Sequence, residues 1–344
     1  MPDHPTFITA LEQITPAWLT AALRESGTLP TGRVLRVTPG PTAHAPMSNA
    51  VGSLTVEYES GTPGEPPSSL FFKNGRMPGE VSFHQHVAPL LPQALQVPCH
   101  YAAFENDLGQ SNLLFADLQP THHFPDTSAD LTETDYLHLM SALADLHRAF
   151  WDHPALTTDG AIGAHELNLP VKRVLDAARQ NFPQFATALG ARLTPGLQRR
   201  YEKLLANLPQ PRTALQHLTV VHGDVQPKNL ALPRTAGHSL HLVDWSLWHI
   251  NLPTYDLAYL LALHTPKPQR ASLELTCLKA YHQQLGLATY PFEQLLEDYR
   301  QSILFHAIWP VFFQRFTPSA SWLPLFENIM SACDDWDCDA TLQG

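Results

Sequence analysis

The sequence predicts an α+β fold, with strands gathered in its first third and helices in the remainder. Two observations carry this. Between residues 33 and 117, short runs alternate apolar and polar side chains with a period of two. From residue 132 onward, apolar side chains recur every three to four positions, as on one face of a helix. Many of the 31 prolines lie between these periodic segments, which fits a globular chain with ordered loops.

In chain order, Arg33–Pro39 (RVLRVTP) and Gly52–Glu59 (GSLTVEYE) read as half-buried strands, with Gly40–Val51 as a loop of small residues between them. Gly61–Ser69, with its prolines and glycines, reads as a turn. Ser69–Lys73 (SLFFK) is a short strand ending in a lysine. Gly79–Leu91 is a helix that Pro89 and Pro92 stop. Val97–Phe104 and Ser111–Asp117 form a further pair of strands, and the boundary to the helical part falls near Asp117–Phe124.

In Thr132–Phe150, Tyr136, Leu139, Met140, Leu143, Leu146 and Phe150 line one helix face. Thr132 can cap this helix, and Asp135 suits the positive end of its dipole. Val171–Gly190 and Pro195–Leu208 are further helices. Leu218–Asp244 is a strand-loop-strand unit. Asp256–His264, Ala271–Leu285, Phe292–Phe316 and Trp322–Cys333 are helical, and Pro310 should kink or split the third.

The 344 residues are 44% hydrophobic, enough for a sizeable core, and suggest about two domains. The net charge of −11 disfavours binding to nucleic acid and to anionic membranes, and suits a neutral or cationic substrate as well as a merely solvated surface. No stretch reaches the ~18 apolar residues of a membrane span, and residues 1–10 lack a signal-peptide pattern. A cytoplasmic location is therefore expected. The four cysteines and 19 histidines show no zinc spacing.

The most specific signal is Val220–Leu230 (VVHGDVQPKNL). An apolar strand runs into His222-Gly223-Asp224, Asn229 follows five residues later, and a second apolar strand delivers Asp244 in the context LVDWS. Phosphoryl transfer explains this combination, because its transition state needs positioning and neutralisation of negative charge more than covalent help. One carboxylate accepts or orients the proton of a substrate hydroxyl. A second carboxylate and an amide oxygen supply the hard ligands that magnesium prefers. Gly223 permits a tight turn, and His222 can hydrogen-bond within the loop.

HGDVQPKNL, HLVDWS and PTYDLAYLL together resemble the catalytic core of the aminoglycoside phosphotransferase and choline kinase superfamily, and in particular its ecdysteroid-kinase-like branch. The resemblance implies a two-lobed protein-kinase-like fold: a small β-rich N-lobe over residues 1–116, a hinge at 117–124, and a larger, mostly helical C-lobe over 125–344. It implies an ATP- and Mg2+-dependent phosphotransferase acting on a small-molecule hydroxyl. Asp224 would be the catalytic base, Asn229 and Asp244 the metal ligands, and Asp256 a structural brace of the catalytic loop. Phe71–Lys73 resembles the strand carrying the phosphate-binding lysine, and Lys73 is a point charge suited to the α- and β-phosphates. Glu80 matches the helix glutamate that pairs with it. Ser111–Leu118 looks like the hinge strand whose backbone meets adenine, which places Asp117 at the nucleotide. Ser48 and Asn49 offer donors in the phosphate-covering loop.

There are departures from the family pattern. Thr42–Val51 lacks the glycine common in that loop, and Ser246 stands where some relatives carry a second acid, which counts against a second protein-held magnesium. Trp245, Trp248, Trp309 and Trp336 read either as core or as a cation-binding wall. Asp334, Asp335, Asp337 and Asp339 read either as a contact for an amine substrate or as a solvated terminus. Acceptors compatible with the resemblance are an amino alcohol, an antibiotic, a sugar or a steroid-like alcohol. The competing reading is a non-catalytic, kinase-like nucleotide or ligand sensor. The sequence does not specify an oligomeric state.

Overall fold

The computed structural model describes residues 7–40, 48–61, 66–91, 97, 100–165, 171–208, 216–236, 238–314 and 321–338. The chain forms two compact units: Met1–His123 with Ala231–Leu247, and Phe124–Leu230 with Trp248–Gly344.

The first unit opens with a helix that the periodicity reading missed, α1 (Pro16–Glu25). Its start is locally encoded. Thr15 accepts the Trp18 N–H at 3.1 Å, and Pro16 occupies the first helical position, where its missing N–H costs nothing. Trp18, Leu19, Ala22 and Leu23 are buried. A five-stranded antiparallel sheet follows, built from β1 (Val34–Pro39), β2 (Ser48–Tyr58), β3 (Ser69–Gly75), β4 (His100–Glu105) and β5 (Ser111–Ala116) in the order β1-β2-β3-β5-β4. β2 begins at Ser48, inside the stretch read as a loop, because its ladder with β3 continues through Val51↔Lys73 to Ser48↔Gly75.

Alternation along β3 positions the lysine. Leu70 and Phe72 are fully buried on the face that α1 covers, where Trp18 meets Phe72 edge-on at 6.0 Å. Phe71 and Lys73 point the other way. There Leu113 and Phe115 of β5 pack with Met77 and Val81. Val81 lies on α2 (Pro78–Ser82), which widens into a π-helical turn over Phe83–Val87 and ends in a tight turn at Ala88–Leu90. The helix expected over Gly79–Leu91 is therefore three short pieces.

The strand-loop-strand unit expected over Leu218–Asp244 holds three strands, which belong to two sheets. β7 (Thr219–Val221) pairs with β10 (His249–Asn251), while β8 (Leu230–Pro233) sits between β6 (His122–His123) and β9 (His241–Leu242).

The second unit is mostly helical: α3 (Glu133–Ala149), α4 (Val171–Leu189), α5 (Pro195–Asn207), α6 (Thr254–Ala258) widening into a π-helical turn at Tyr259–His264, α7 (Lys267–Leu285), α8 (Phe292–His306), α9 (Trp309–Gln314) and α10 (Trp322–Asp335). α7 starts four residues before the expected Ala271. The expected helix Phe292–Phe316 breaks after His306, and Pro310 takes the second position of α9, where a missing N–H is tolerated. Among the described residues, no helix is long and apolar enough to cross a membrane.

Candidate active site

In the first unit, three side chains meet. The Lys73 ammonium lies 2.6 Å from Glu80 Oε2 and 2.8 Å from Asp244 Oδ1. Lys73 is supplied by β3, Glu80 by α2 and Asp244 by the residues just after β9. Glu80 also accepts a hydrogen bond from the Trp245 backbone N–H. The Phe83 ring stacks on the Trp245 ring, with centroids 3.9 Å apart and planes 8° from parallel, and the indole N–H donates to the Leu242 carbonyl at 3.1 Å. α2 and the Asp244 segment are thus joined by a polar link and an aromatic one. Asp244 itself has φ +64°, a left-handed conformation that aspartate tolerates better than most residues.

Electrostatics divides the trio. Burial works to lower the Lys73 pKa, but Glu80 and Asp244 outweigh it and hold the ammonium charged, well above the usual lysine value. Burial pushes Glu80 up to about 7; Lys73 pulls the other way, and the Asp244 charge adds to the rise. Asp244 keeps 37% of its side chain exposed. It is the member of the trio open to a cation from solvent.

In the second unit, β7 leads into His222-Gly223-Asp224. Gly223 has φ +84°, a conformation open mainly to glycine. The turn is held from beneath by Asp256 of α6, whose carboxylate accepts the His222 N–H at 2.8 Å and the Gly223 N–H at 2.9 Å. Within the turn, the Asp224 N–H donates to His222 Nδ1 at 3.3 Å. Asp256 is fully buried. Burial works to raise its pKa, but His147 and the Gly223 N–H outweigh this and keep the carboxyl below the usual range. His147, near the end of α3, reaches Asp256 Oδ2 at 3.2 Å and the Tyr281 hydroxyl at 2.8 Å, so both its nitrogens are engaged.

Side-chain donors converge on the Asp224 carboxylate. Tyr259 Oη donates to Oδ1 at 2.7 Å, Asn229 Nδ2 donates to Oδ2 at 2.9 Å, and Gln226 Nε2 reaches both oxygens at 3.1 and 3.0 Å. Asn229 Nδ2 also donates to the Asp224 carbonyl at 2.9 Å. With two acceptors on the amide nitrogen, the Asn229 oxygen is the branch directed away from Asp224. The Asn229 amide oxygen in this unit, and the Asp244 carboxylate in the first, are each by type a hard donor of the kind magnesium takes.

Residues 72–296 match the phosphotransferase enzyme family. The chain belongs to that family. No curated protein sequence matches it. Among solved structures, the phosphotransferase is similar in fold to the GDP complex of aminoglycoside 2'-phosphotransferase-IIIa (13% identity, TM-score 0.56, covering 95% of this chain and 100% of the other). It is also similar to spectinomycin phosphotransferase in complex with ADP and spectinomycin (12% identity, TM-score 0.55, 95% and 94% covered). A third is macrolide 2'-phosphotransferase from Brachybacterium faecium (17% identity, TM-score 0.50, 85% and 91% covered). The α+β, kinase-like architecture is shared with these proteins: an antiparallel sheet followed by a mostly helical region.

The structure groups the sequence-predicted residues of the phosphotransferase into two sets, Lys73, Glu80 and Asp244 in one unit, and Asp224 and Asn229 in the other. Asp117 directly follows β5, and its carboxylate accepts from the Ser69 hydroxyl at 2.9 Å and the Gln119 N–H at 3.0 Å. Ser48 and Asn49 lie in β2, but their side chains are outside the described residues. Trp245, Trp248 and Trp309 are buried core residues. Asp334 pairs with Arg200, and Asp335 with Lys267 and Arg270, both at 2.7 Å. Sequence reasoning missed Tyr259, Gln226, Trp245 and Phe83 as parts of the site. A signal existed for Tyr259: it follows Asp256 by three residues, which on a helix places both on one face, toward the same loop.

Proposed function

We propose that this phosphotransferase moves the γ-phosphoryl group of ATP to a hydroxyl of a small molecule. The observation that carries the reading is the buried Lys73–Glu80–Asp244 trio, an ammonium held charged by two carboxylates, one of them partly open to solvent. Lys73 would neutralise the α- and β-phosphates, and Glu80 would fix its position. Asp244 and Asn229 would hold magnesium, which supplies charge neutralisation at the phosphates. Among the described residues, no three His, Cys, Asp or Glu side chains gather into a metal nest. An ion resting on two protein oxygens would draw its remaining ligands from nucleotide and water, as magnesium commonly does. Asp224 would orient the acceptor hydroxyl and take up its proton as the phosphorus–oxygen bond forms.

Only eleven residues separate Asp244 from Asp256, too few for a platform that docks a polypeptide, which favours a small acceptor. Amino alcohols, antibiotics, sugars and steroid-like alcohols are the classes to screen. The likeness of HGDVQPKNL and YDLAYLL to the ecdysteroid-kinase-like branch favours an apolar alcohol. The test is ADP release from Mg·ATP across an acceptor panel, beside an Asp224→Ala control. Acceptor-dependent release that falls by about 10²- to 10⁴-fold in the control supports the reading. Nucleotide binding with no transfer to any acceptor or to water would replace it with a sensor.

A further inference from the structure

We infer that Tyr259 is a positioning residue for Asp224, fixing the plane of its carboxylate for the acceptor hydroxyl; the inference rests on the phosphotransfer reading above. The Tyr259 hydroxyl meets Asp224 Oδ1 at 2.7 Å. Gln226, the other donor to that oxygen, is a half-buried side chain of the same loop and moves with it. Asn229 also belongs to the loop. Tyr259 comes from another element, the helix that carries Asp256. It stands at the first residue of the π-helical turn after α6, and such one-turn widenings often mark functional positions.

The phenol is itself held. Tyr259 is 1% exposed, and its ring packs edge-on against His306 at 5.2 Å and tilted against His264 at 5.0 Å. Both imidazoles are neutral near pH 7, because burial lowers them to about 3 and about 4. Burial, and then the Asp224 charge, keeps the Tyr259 hydroxyl protonated and therefore a donor. α6 and the turn that continues it thus address the catalytic loop twice. Asp256 holds its backbone, and Tyr259, three residues on, holds its carboxylate.

A carboxylate has room for about four acceptor contacts. Tyr259 and Asn229 take one on each oxygen, and Gln226 is shared between the two. The shared, weaker contact is the one an incoming hydroxyl displaces. Tyr259 and Asn229 then keep the carboxylate from rotating as the proton is transferred. A misoriented acceptor costs rate and not nucleotide affinity.

The test uses Tyr259→Phe, which keeps the ring and deletes the hydroxyl, in the full chain. Hydrolysis of Mg·ATP, with water as the acceptor, is compared for wild type, Y259F, D224N and the double variant. The expected result is a kcat about tenfold lower in Y259F at unchanged KM for ATP, and a double variant no slower than D224N. A merely structural role would lower the rate of the double variant multiplicatively. That result overturns the inference, as does a wild-type kcat in Y259F beside an impaired D224N. A thermal midpoint in Y259F more than about 10 °C below wild type also assigns Tyr259 to packing. An unimpaired D224N, or no ADP release by the wild type with water or any acceptor, instead overturns the phosphotransfer reading beneath it.

Discussion

Lys73 carries the sharpest chemistry in the first unit. Its ammonium stands 2.8 Å from a carboxylate proposed to hold the metal, so without nucleotide it neutralises Asp244 itself. It also satisfies Glu80, whose side chain is only 3% exposed. Removing one partner of so buried a pair costs about 3–5 kcal/mol, because the other is left charged or must take up a proton. Lys73→Met should therefore lower unfolding stability by about 3 kcal/mol in urea titration, and adding Glu80→Gln should restore part of the loss. The exposed pairs Arg33–Glu59 and Arg36–Glu57 should contribute under about 1 kcal/mol each. Asp224 and Asn229 were legible as candidates because their spacing falls within one loop, and Asp244 because an apolar strand delivers it; Glu80 came from the resemblance to the family. Tyr259 was not legible, since its role depends on which loop its helix faces.

At the scale of elements, the long amphipathic helices from α3 onward were legible, while α1 and the division of the short helices into α- and π-helical turns were not. α3 is the clearest case. Thr132 accepts the Asp135 N–H at 3.2 Å, and Asp135 Oδ2 returns to the Thr132 N–H at 2.8 Å, a reciprocal cap written in the sequence as T-x-x-D. Thr132→Ala should cost about 1 kcal/mol in denaturant titration and leave the rate of phosphotransfer unchanged, since the cap lies at the far end of α3 from His147. α2 and α6 are different. Helix was expected over Gly79–Leu91 and Asp256–His264, but each is five residues of α-helix followed by a π-helical turn, a division that local periodicity does not mark. Each is stabilised by what it packs on: the Phe83–Trp245 stack for α2, and Asp256 under the His222-Gly223 turn for α6.

Over the whole molecule, buried histidines set an acid limit. His306 is locked in one neutral form, its Nε2–H donating to the Tyr255 carbonyl at 2.8 Å and its Nδ1 accepting from the Trp309 indole at 3.0 Å. Burial lowers His306 to about 3 and His264 to about 4. Below about pH 6.5 the unfolded chain takes up these protons and the folded chain does not, so stability present at neutral pH is lost as pH falls toward those folded values. Each histidine contributes a slope of about 1.4 kcal/mol per pH unit over that window. His264→Leu should flatten the fall between pH 6 and pH 4 by about that amount per unit, read from urea midpoints. The sequence by itself determined the order of strands before helices, the amphipathic faces, and the Asp224, Asn229 and Asp244 motif, because these depend on local periodicity and on spacing along one chain. Tertiary structure alone decided that residues 231–247 pack with the first unit, that Asp244 reaches Lys73, and that Tyr259 reaches Asp224. Those contacts join residues 171 and 35 positions apart, and burial of the whole chain, not any local preference, brings them together.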